Sequence, residues 1–314
     1  MIKQKTSKEP MNKKQIKRRR YLFVALLLAY PLANFIVFYL WNNINAFLIT
    51  FQRVDSVTFD KYWCGLDNWT RMFRDLKAEG QLLEYAFRGA YFWLLSLIGM
   101  PFNLLFGYIL FIKVRGSTAY RMALMIPAMV SGLVFGMLFG QLAENVLPLL
   151  MQKTFGIETL SLLLDPRYNI PTVIIYSFFI GFSGTILIYM NSMRAATDEI
   201  IEAARMDGAT HLKIFWHICC PVSIPTIQAL IVPAVATMFA PSGGIYYVFF
   251  QYNAPENLTT LSYYIFTLTK NYKATQIDYS YSGTLTLFFS LIMLPLVFLV
   301  KYLFDRFNPM REDL

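Results

Sequence analysis

Charged residues in this 314-residue chain are gathered into short stretches, leaving six uncharged runs at 21–49, 89–112, 122–143, 170–193, 218–251 and 279–300. About 20 mostly apolar residues suffice to cross a bilayer as a helix, so each run predicts one transmembrane helix. The first helix is expected to end near Trp41, inside its run. The fifth run is too long for a single crossing. Pro241, Ser242, Gly243 and Gly244 interrupt it, and such clusters form turns. That helix is therefore expected to stop near Ala240, with the remainder a loop packed at, or re-entering, the outer face. The pattern predicts an all-α polytopic membrane protein with six transmembrane helices.

Composition agrees. Hydrophobic residues make up 56% of the chain and charged residues 15%, with a mean hydropathy of +0.45, whereas soluble domains carry roughly 25% charged residues. The formal charge of +9 would in another chain suggest a nucleic-acid partner. Here nine Lys and Arg, from Lys3 to Arg20, crowd the first twenty residues against one acid, Glu9. A basic segment beside a span sets topology, and no nucleic acid is needed to explain it. With the N-terminus inside, the inner segments hold 18 Lys and Arg in 67 residues and the outer ones 10 in 101. That excess marks the cytoplasmic side, and six helices return the C-terminus to it. No small-x-small cleavage signature follows the tail, so the first span is read as uncleaved. Cys64, Cys219 and Cys220 do not form a disulfide framework.

The six runs contain no ionisable side chain. Proton- and ion-coupled carriers place such groups in the membrane despite a cost of roughly 2.5–3.5 kcal/mol each. Their absence argues against a proton relay and against a charged substrate held by a buried counter-charge. Ser131, Ser177, Thr237 and other polar residues interleave with glycines and aromatics, a lining suited to a neutral, hydroxyl-rich solute. Ser and Thr in membrane helices also serve simply as packing groups. No G-x-x-x-x-G-K-[ST] phosphate loop occurs, so ATP would have to be bound by a partner. No cofactor is implied. His211, His217, Cys219 and Cys220 lack the spacing of a zinc site. A membrane-embedded enzyme would need paired acids, a His cluster or a nucleophile at the membrane face, and none is convincing.

The segment between the fourth and fifth runs is the most informative. Thr197 or Asp198 is placed to cap a helix with acids in its first turn, and Gly208 to end it in the left-handed conformation. The prediction is a short helix of about two turns on the cytoplasmic face. Ile201, Ala204 and Arg205 lie together on it at three- and four-residue spacing, and Glu202 and Met206 form the next ridge. Ala203 and Ala204 give it a low-relief surface open to another protein's groove. A second short helix follows, and Pro221 and Pro225 mark the return to the membrane.

The run Glu202-Ala203-Ala204-Arg205-Met206-Asp207-Gly208-Ala209, with Ile218 and Pro221 beyond it, resembles the EAA loop of binding-protein-dependent ABC importer permeases. In that pattern a Gly lies six residues after the Glu, and I-x-L-P begins ten residues after the Gly. Here Cys220 stands in the Leu position. The stretch from Trp63 to Trp69, together with Phe215, is similar to the carbohydrate-uptake branch. The long basic tail and the ending Phe304 to Met310 are similar to the maltose-permease-F-like partner of a heterodimer.

The resemblance implies a type I importer permease of the bacterial cytoplasmic membrane with both termini cytoplasmic, moving a neutral sugar or oligosaccharide and having no enzymatic activity of its own. The implied partners are a second permease, two ATP-binding cassette ATPase subunits and an extracytoplasmic solute-binding protein. Glu202, Ala203, Ala204, Asp207, Gly208 and Ala209 would form the coupling helix gripped by the ATPase. Ser177, Ile180 and Gly181, with Ser131, Thr237 and Phe239, fall on the implied sugar path. Glycerol-phosphate-like or peptide solutes are the alternative cargo, although a phosphate would want an Arg or Lys in the path. The expected division is a basic tail at 1–20, a first span at 21–49 and an extracytoplasmic loop at 50–86. A five-helix core at 87–305 with its coupling loop at 194–217 follows, and then a cytoplasmic tail at 306–314.

Overall fold

The computed structural model of the protein describes residues 13–55, 58, 60–78, 80–240, 244–270 and 278–307. Most of the basic tail, the 241–243 turn and residues 308–314 lie outside the described residues. Among the described residues, five helices are long and apolar enough to cross a membrane, and a sixth does so if the bent pair Asn169–Phe182 and Gly184–Ala195 is one span. In lipid this is the expected outcome, because a helix satisfies its own backbone hydrogen bonds where no water can.

Helix α1 (Lys13–Asn34) continues through a π-wound segment, Phe35–Leu40, into α2 (Trp41–Ile49). The first helix therefore does not end near Trp41. No Gly or Pro intervenes to stop it, and the Asn43 amide bonds back to the Tyr39 carbonyl at 2.7 Å. The rest of the chain buries none of its apolar window.

The 50–86 segment holds a small folded unit. Strands β1 (Gln52–Val54) and β2 (Lys61–Trp63) pair antiparallel, with Gln52 opposite Trp63, and α3 (Asp67–Ala78) follows. The buried Asn68 amide donates to the carbonyls of Thr50 and Gln52, both at 2.9 Å. Met72 on α3 is fully buried among Leu82, Leu261, Tyr281 and Leu285.

Helix α4 (Gln81–Phe111) is continuous despite Pro101. The run expected as one helix over 122–143 is instead broken between α5 (Ser117–Met129) and α6 (Gly132–Gln141). Val130 and Ser131 are extended between them, with ψ of 137° and 132°. Helix α7 (Leu147–Phe155) continues the chain and α8 (Asn169–Ser192) returns it. Through a π-wound link at Leu142–Val146, α6 and α7 together make 132–155 one of the five membrane-length stretches. These pieces dock along α8. Leu124 of α5 meets Ile186 and Met190 near the end of α8, Phe135 stacks on Phe179 at 5.5 Å, and Ala143 meets Val173 near its start.

Helices α4 and α8 run side by side. A Cβ on Gly107 would lie 3.1 Å from the Met190 nitrogen and 3.2 Å from the Ile186 carbonyl oxygen, so the absence of a side chain there sets how closely they approach. Small residues at such seams allow the van der Waals contact that drives helix association in lipid. Phe102 against Phe178 (6.2 Å) and Phe106 against Phe182 (5.0 Å) fill the same seam. Helix α8 bends by 41° between Phe182 and Gly184, at a Gly/Ser sequence of the kind that admits kinks.

After α8 come α9 (Asp198–Met206), α10 (His211–Ile214) and α11 (Cys220–Ala236). The expected second short helix is instead the start of one 26-residue membrane-length helix from His211 to Ala236. π winding at Phe215–Cys219 carries the helix up to Pro221, which has no N–H to offer. Helices α12 (Gly244–Phe250) and α13 (Leu261–Lys270) cover the far end, and α14 (Tyr279–Phe307) closes the bundle. From Gly244 to Phe250 the remainder of the fifth run is thus helical rather than a loop, held because Phe250 is buried with Leu163, Val173 and Leu258.

Candidate functional site

Helix α9 is defined by its ends. Thr197 precedes it in extended conformation (φ −66°, ψ 151°) and occupies the cap position without a side-chain capping bond. Asp198 and Glu199 place negative charge in the first turn, where the helix dipole favours it. At the other end the Ala209 N–H donates to the Ala204 carbonyl (2.9 Å) and the Gly208 N–H to the Arg205 carbonyl (3.0 Å). With Gly208 at φ +77°, this is a Schellman motif. A Cβ on Gly208 would touch nothing within 4 Å, so glycine is required by backbone conformation rather than by space. An L-residue there costs roughly 1–2 kcal/mol.

The two faces of α9 differ. Ile201 is 6% exposed and enters a cluster with Tyr108, Tyr189, Met193, Ile214 and Phe215, against which Ala204 and Ala209 also pack. Glu199, Ile200, Glu202, Ala203, Arg205 and Asp207 are exposed. Met206 is 89% exposed and Ile200 51%, apolar side chains presented outward among charged ones. Ala203 and Ala204 therefore do not share one low-relief surface. The 3.6-residue turn sends Ala203 outward and Ala204 into the bundle.

The ends of three long helices meet around the cluster that seats Ile201. Phe215 lies 5.2 Å from the Tyr108 ring, and the Tyr108 hydroxyl is 3.4 Å from Nδ1 of His211. The Ser192 hydroxyl donates to Ser223 Oγ at 2.9 Å, and Ser223 donates to the Cys219 carbonyl at 2.8 Å. Tyr108 gave no signal in the sequence, because 103 positions separate it from His211. His217 turns to the Lys213 carbonyl, 3.1 Å from its Nδ1.

The residues expected along a path occupy two regions. Ser131 and Ser177 are exposed, and the Tyr176 hydroxyl, donating to the Gly132 carbonyl at 3.4 Å, ties their neighbourhoods together. Ser177 spends its own hydroxyl on the Val173 carbonyl (2.8 Å). Ile180 and the exposed Gly181 follow on α8, and a Cβ on Gly181 would meet nothing within 4 Å. Thr237 is exposed at the end of α11, its hydroxyl donating to the Pro233 carbonyl at 2.9 Å. Phe239 is half-buried against Phe289, 5.3 Å away, and faces Gly89. Its role in the fold is packing.

A bundle of apolar membrane-length helices with one short helix, polar on its outward face, at an end defines a polytopic membrane protein. Residues 99–312 match the family described as binding-protein-dependent transport system inner membrane component, and the chain belongs to that family. It is similar to the multiple sugar-binding transport system permease protein MsmF of Streptococcus mutans. Identity is 23% over 278 residues, covering 84% of this chain and 88% of the relative. It is also similar to the arabinooligosaccharides transport system permease protein AraP of Bacillus subtilis, with 26% identity over 249 residues, 76% of this chain and 74% of that one. Among solved structures, a chain of a bacterial ABC transporter involved in import of the acidic polysaccharide alginate superposes with a TM-score of 0.75. The identity is 20%, and the match covers 94% of this chain and 98% of that one. At that identity the likeness speaks to fold.

Proposed function

We propose that the chain is one membrane half of an ATP-driven importer that moves a neutral sugar or oligosaccharide by alternating access, with α9 as its coupling helix. The observation that carries the reading is the construction of α9. Ile201 locks one face into the bundle while Glu202, Ala203 and Met206 stand free on the other, and Gly208 ends it with a Schellman turn. A lever needs both a rigid seat and a free grip. Sugar-uptake relatives of similar length support the cargo class, and the uncharged runs favour a neutral solute over the acidic one named for the structural neighbour.

The Lys and Arg distribution puts α9 and both termini on the cytoplasmic side. The partners of this reading are a second permease, two ATPase subunits and an extracytoplasmic solute-binding protein; the structural neighbour has been solved with a periplasmic protein. The first helix, uncovered by its own chain, is a surface that the second permease or lipid would cover. The solute route runs past Ser131, Ser177, Ile180 and Gly181.

The test is ATP-dependent uptake of labelled oligosaccharides by the reconstituted assembly. Glu202→Lys and Gly208→Pro are expected to separate ATP hydrolysis from uptake with membrane insertion intact, and Gly181→Trp to block uptake with assembly retained. Unchanged uptake in the two α9 variants would remove the coupling assignment.

A further inference from the structure

Beside α9, at the same end of the bundle, a cavity of about 290 Å³ opens between the α4–α5 turn and the residues that lead into α9. It is far larger than the roughly 10–15 Å³ one water needs. Lys113, Arg121 and Arg194 line it, against one acid, Asp198. None of the three cations has an ion-pair partner among the described residues. Three cations against one carboxylate leave the cavity net positive, so an anion completes such a site.

Arg121 is fixed in place, and the turn that carries Lys113 has a constrained backbone. Arg121 is anchored by donation from Nη2 to the Leu110 carbonyl at 2.8 Å, and its Nε is buried without a partner. Lys113 sits at φ +55°, in a left-handed conformation that a residue with a side chain adopts only at some cost. Arg121 is followed along α5 by exposed apolar side chains. Tyr120, Met122, Met125 and Ile126 of α5 are exposed beside Arg121, so acyl chains can lie along α5 while a headgroup enters.

We propose that this cavity binds the phosphate of an anionic phospholipid headgroup. Arg121 and Arg194 offer guanidinium forks to the phosphate oxygens, Lys113 adds a point charge, and α5 receives the chains. Basic pockets between membrane helices suit such headgroups. The proposal does not depend on the cargo or on the ATPase. A bound lipid would touch Thr197 and Asp198, at the entry to α9.

The test uses the full-length protein in detergent, titrated with phosphatidylglycerol or phosphatidylcholine in mixed micelles and, separately, with inorganic phosphate, and read by native mass spectrometry. Lys113 and Arg194 are exposed and unpartnered, so Lys113→Gln with Arg194→Gln leaves packing intact; Arg121 also caps α4 and is left in place. Phosphatidylglycerol is expected to be retained over phosphatidylcholine. The double variant should lose about fivefold per cation, roughly twenty-five-fold in all, and Asp198→Asn should increase retention. Equal retention of the two lipids, or retention indifferent to the double variant, would overturn the proposal. Binding of inorganic phosphate without retained phosphatidylglycerol would assign the site to a soluble anion and overturn the lipid. Variants that disturb only association with an ATPase subunit would do the same.

Discussion

The side-chain amides of Asn169 and Asn257 donate to one another, at 3.1 Å from Asn169 and 3.0 Å from Asn257. This reciprocal pair fastens the first turn of α8 to the loop before α13, and Asn169 is fully buried. Each amide satisfies what the other would leave open. Asn169→Ala is expected to destabilise the protein by roughly 1–3 kcal/mol, the cost of an orphaned buried polar group. Replacing both residues with Leu should cost less than that single change. Thermal unfolding in detergent checks this, and additive losses would contradict it.

Gly107→Leu is expected to prise α4 from α8, because the new side chain would start within 3.1–3.2 Å of the facing backbone. Overpacking of this kind costs roughly 1–3 kcal/mol. Gly184→Ala, where a Cβ meets nothing within 4 Å, is the control. Size-exclusion profiles and yield of folded protein should fall for the first variant only; a monodisperse Gly107→Leu protein at wild-type yield would refute the seam.

Ile201→Ala should unseat α9. Removing a buried Ile costs roughly 2–5 kcal/mol, and here the loss falls on the contact that holds the helix to the bundle. Hydrogen exchange across 198–206 is expected to accelerate while the membrane helices keep their protection. Ile200, 51% exposed, provides the comparison: Ile200→Ala should leave exchange unchanged. Equal protection in both variants would mean that α9 is held by something else.

At the opposite end of the bundle, the Arg167 guanidinium and backbone N–H, with the Thr159 hydroxyl, donate to the Asp165 carboxylate. The Arg167 side-chain hydrogen bond foremost lowers its pKa from 3.8 to about 2. A carboxylate held below its unfolded value contributes stability that is present above about 3.8 and lost as the pH falls through about 2. Difference infrared titration of wild type against Asp165→Asn should show the carboxylate band disappearing near pH 2. A midpoint near 4 would mean that the Arg167 contact does not form in solution.

Much of the site was legible in one dimension because its determinants are local. Asp198 and Glu199 at one end of α9 and Gly208 at the other act within a turn of the backbone they control. The hydrophobic runs were legible for the same kind of reason. Where expectations failed, a longer-range partner had decided. The run at 122–143 gave no sign of the break at Val130 and Ser131, which the packing of α5 and α6 at different depths on α8 accommodates. Ala203 and Ala204 looked equivalent until Ile201 fixed which face of α9 turns inward. The first helix, expected to end near Trp41, runs on to Ile49 because no Gly or Pro lies between them.

The sequence by itself determined that this chain is a stack of apolar helices with one polar, capped helix between the fourth and fifth. Lipid leaves the backbone no other way to satisfy its hydrogen bonds, and caps act on their immediate neighbours. Tertiary structure alone decided that Gly107 meets Met190, that Asn169 clasps Asn257 across 88 positions, and that Lys113, Arg121 and Arg194 surround one cavity. Those arrangements depend on how helices dock, and docking is governed by side chains far apart in the chain whose proximity no periodicity encodes.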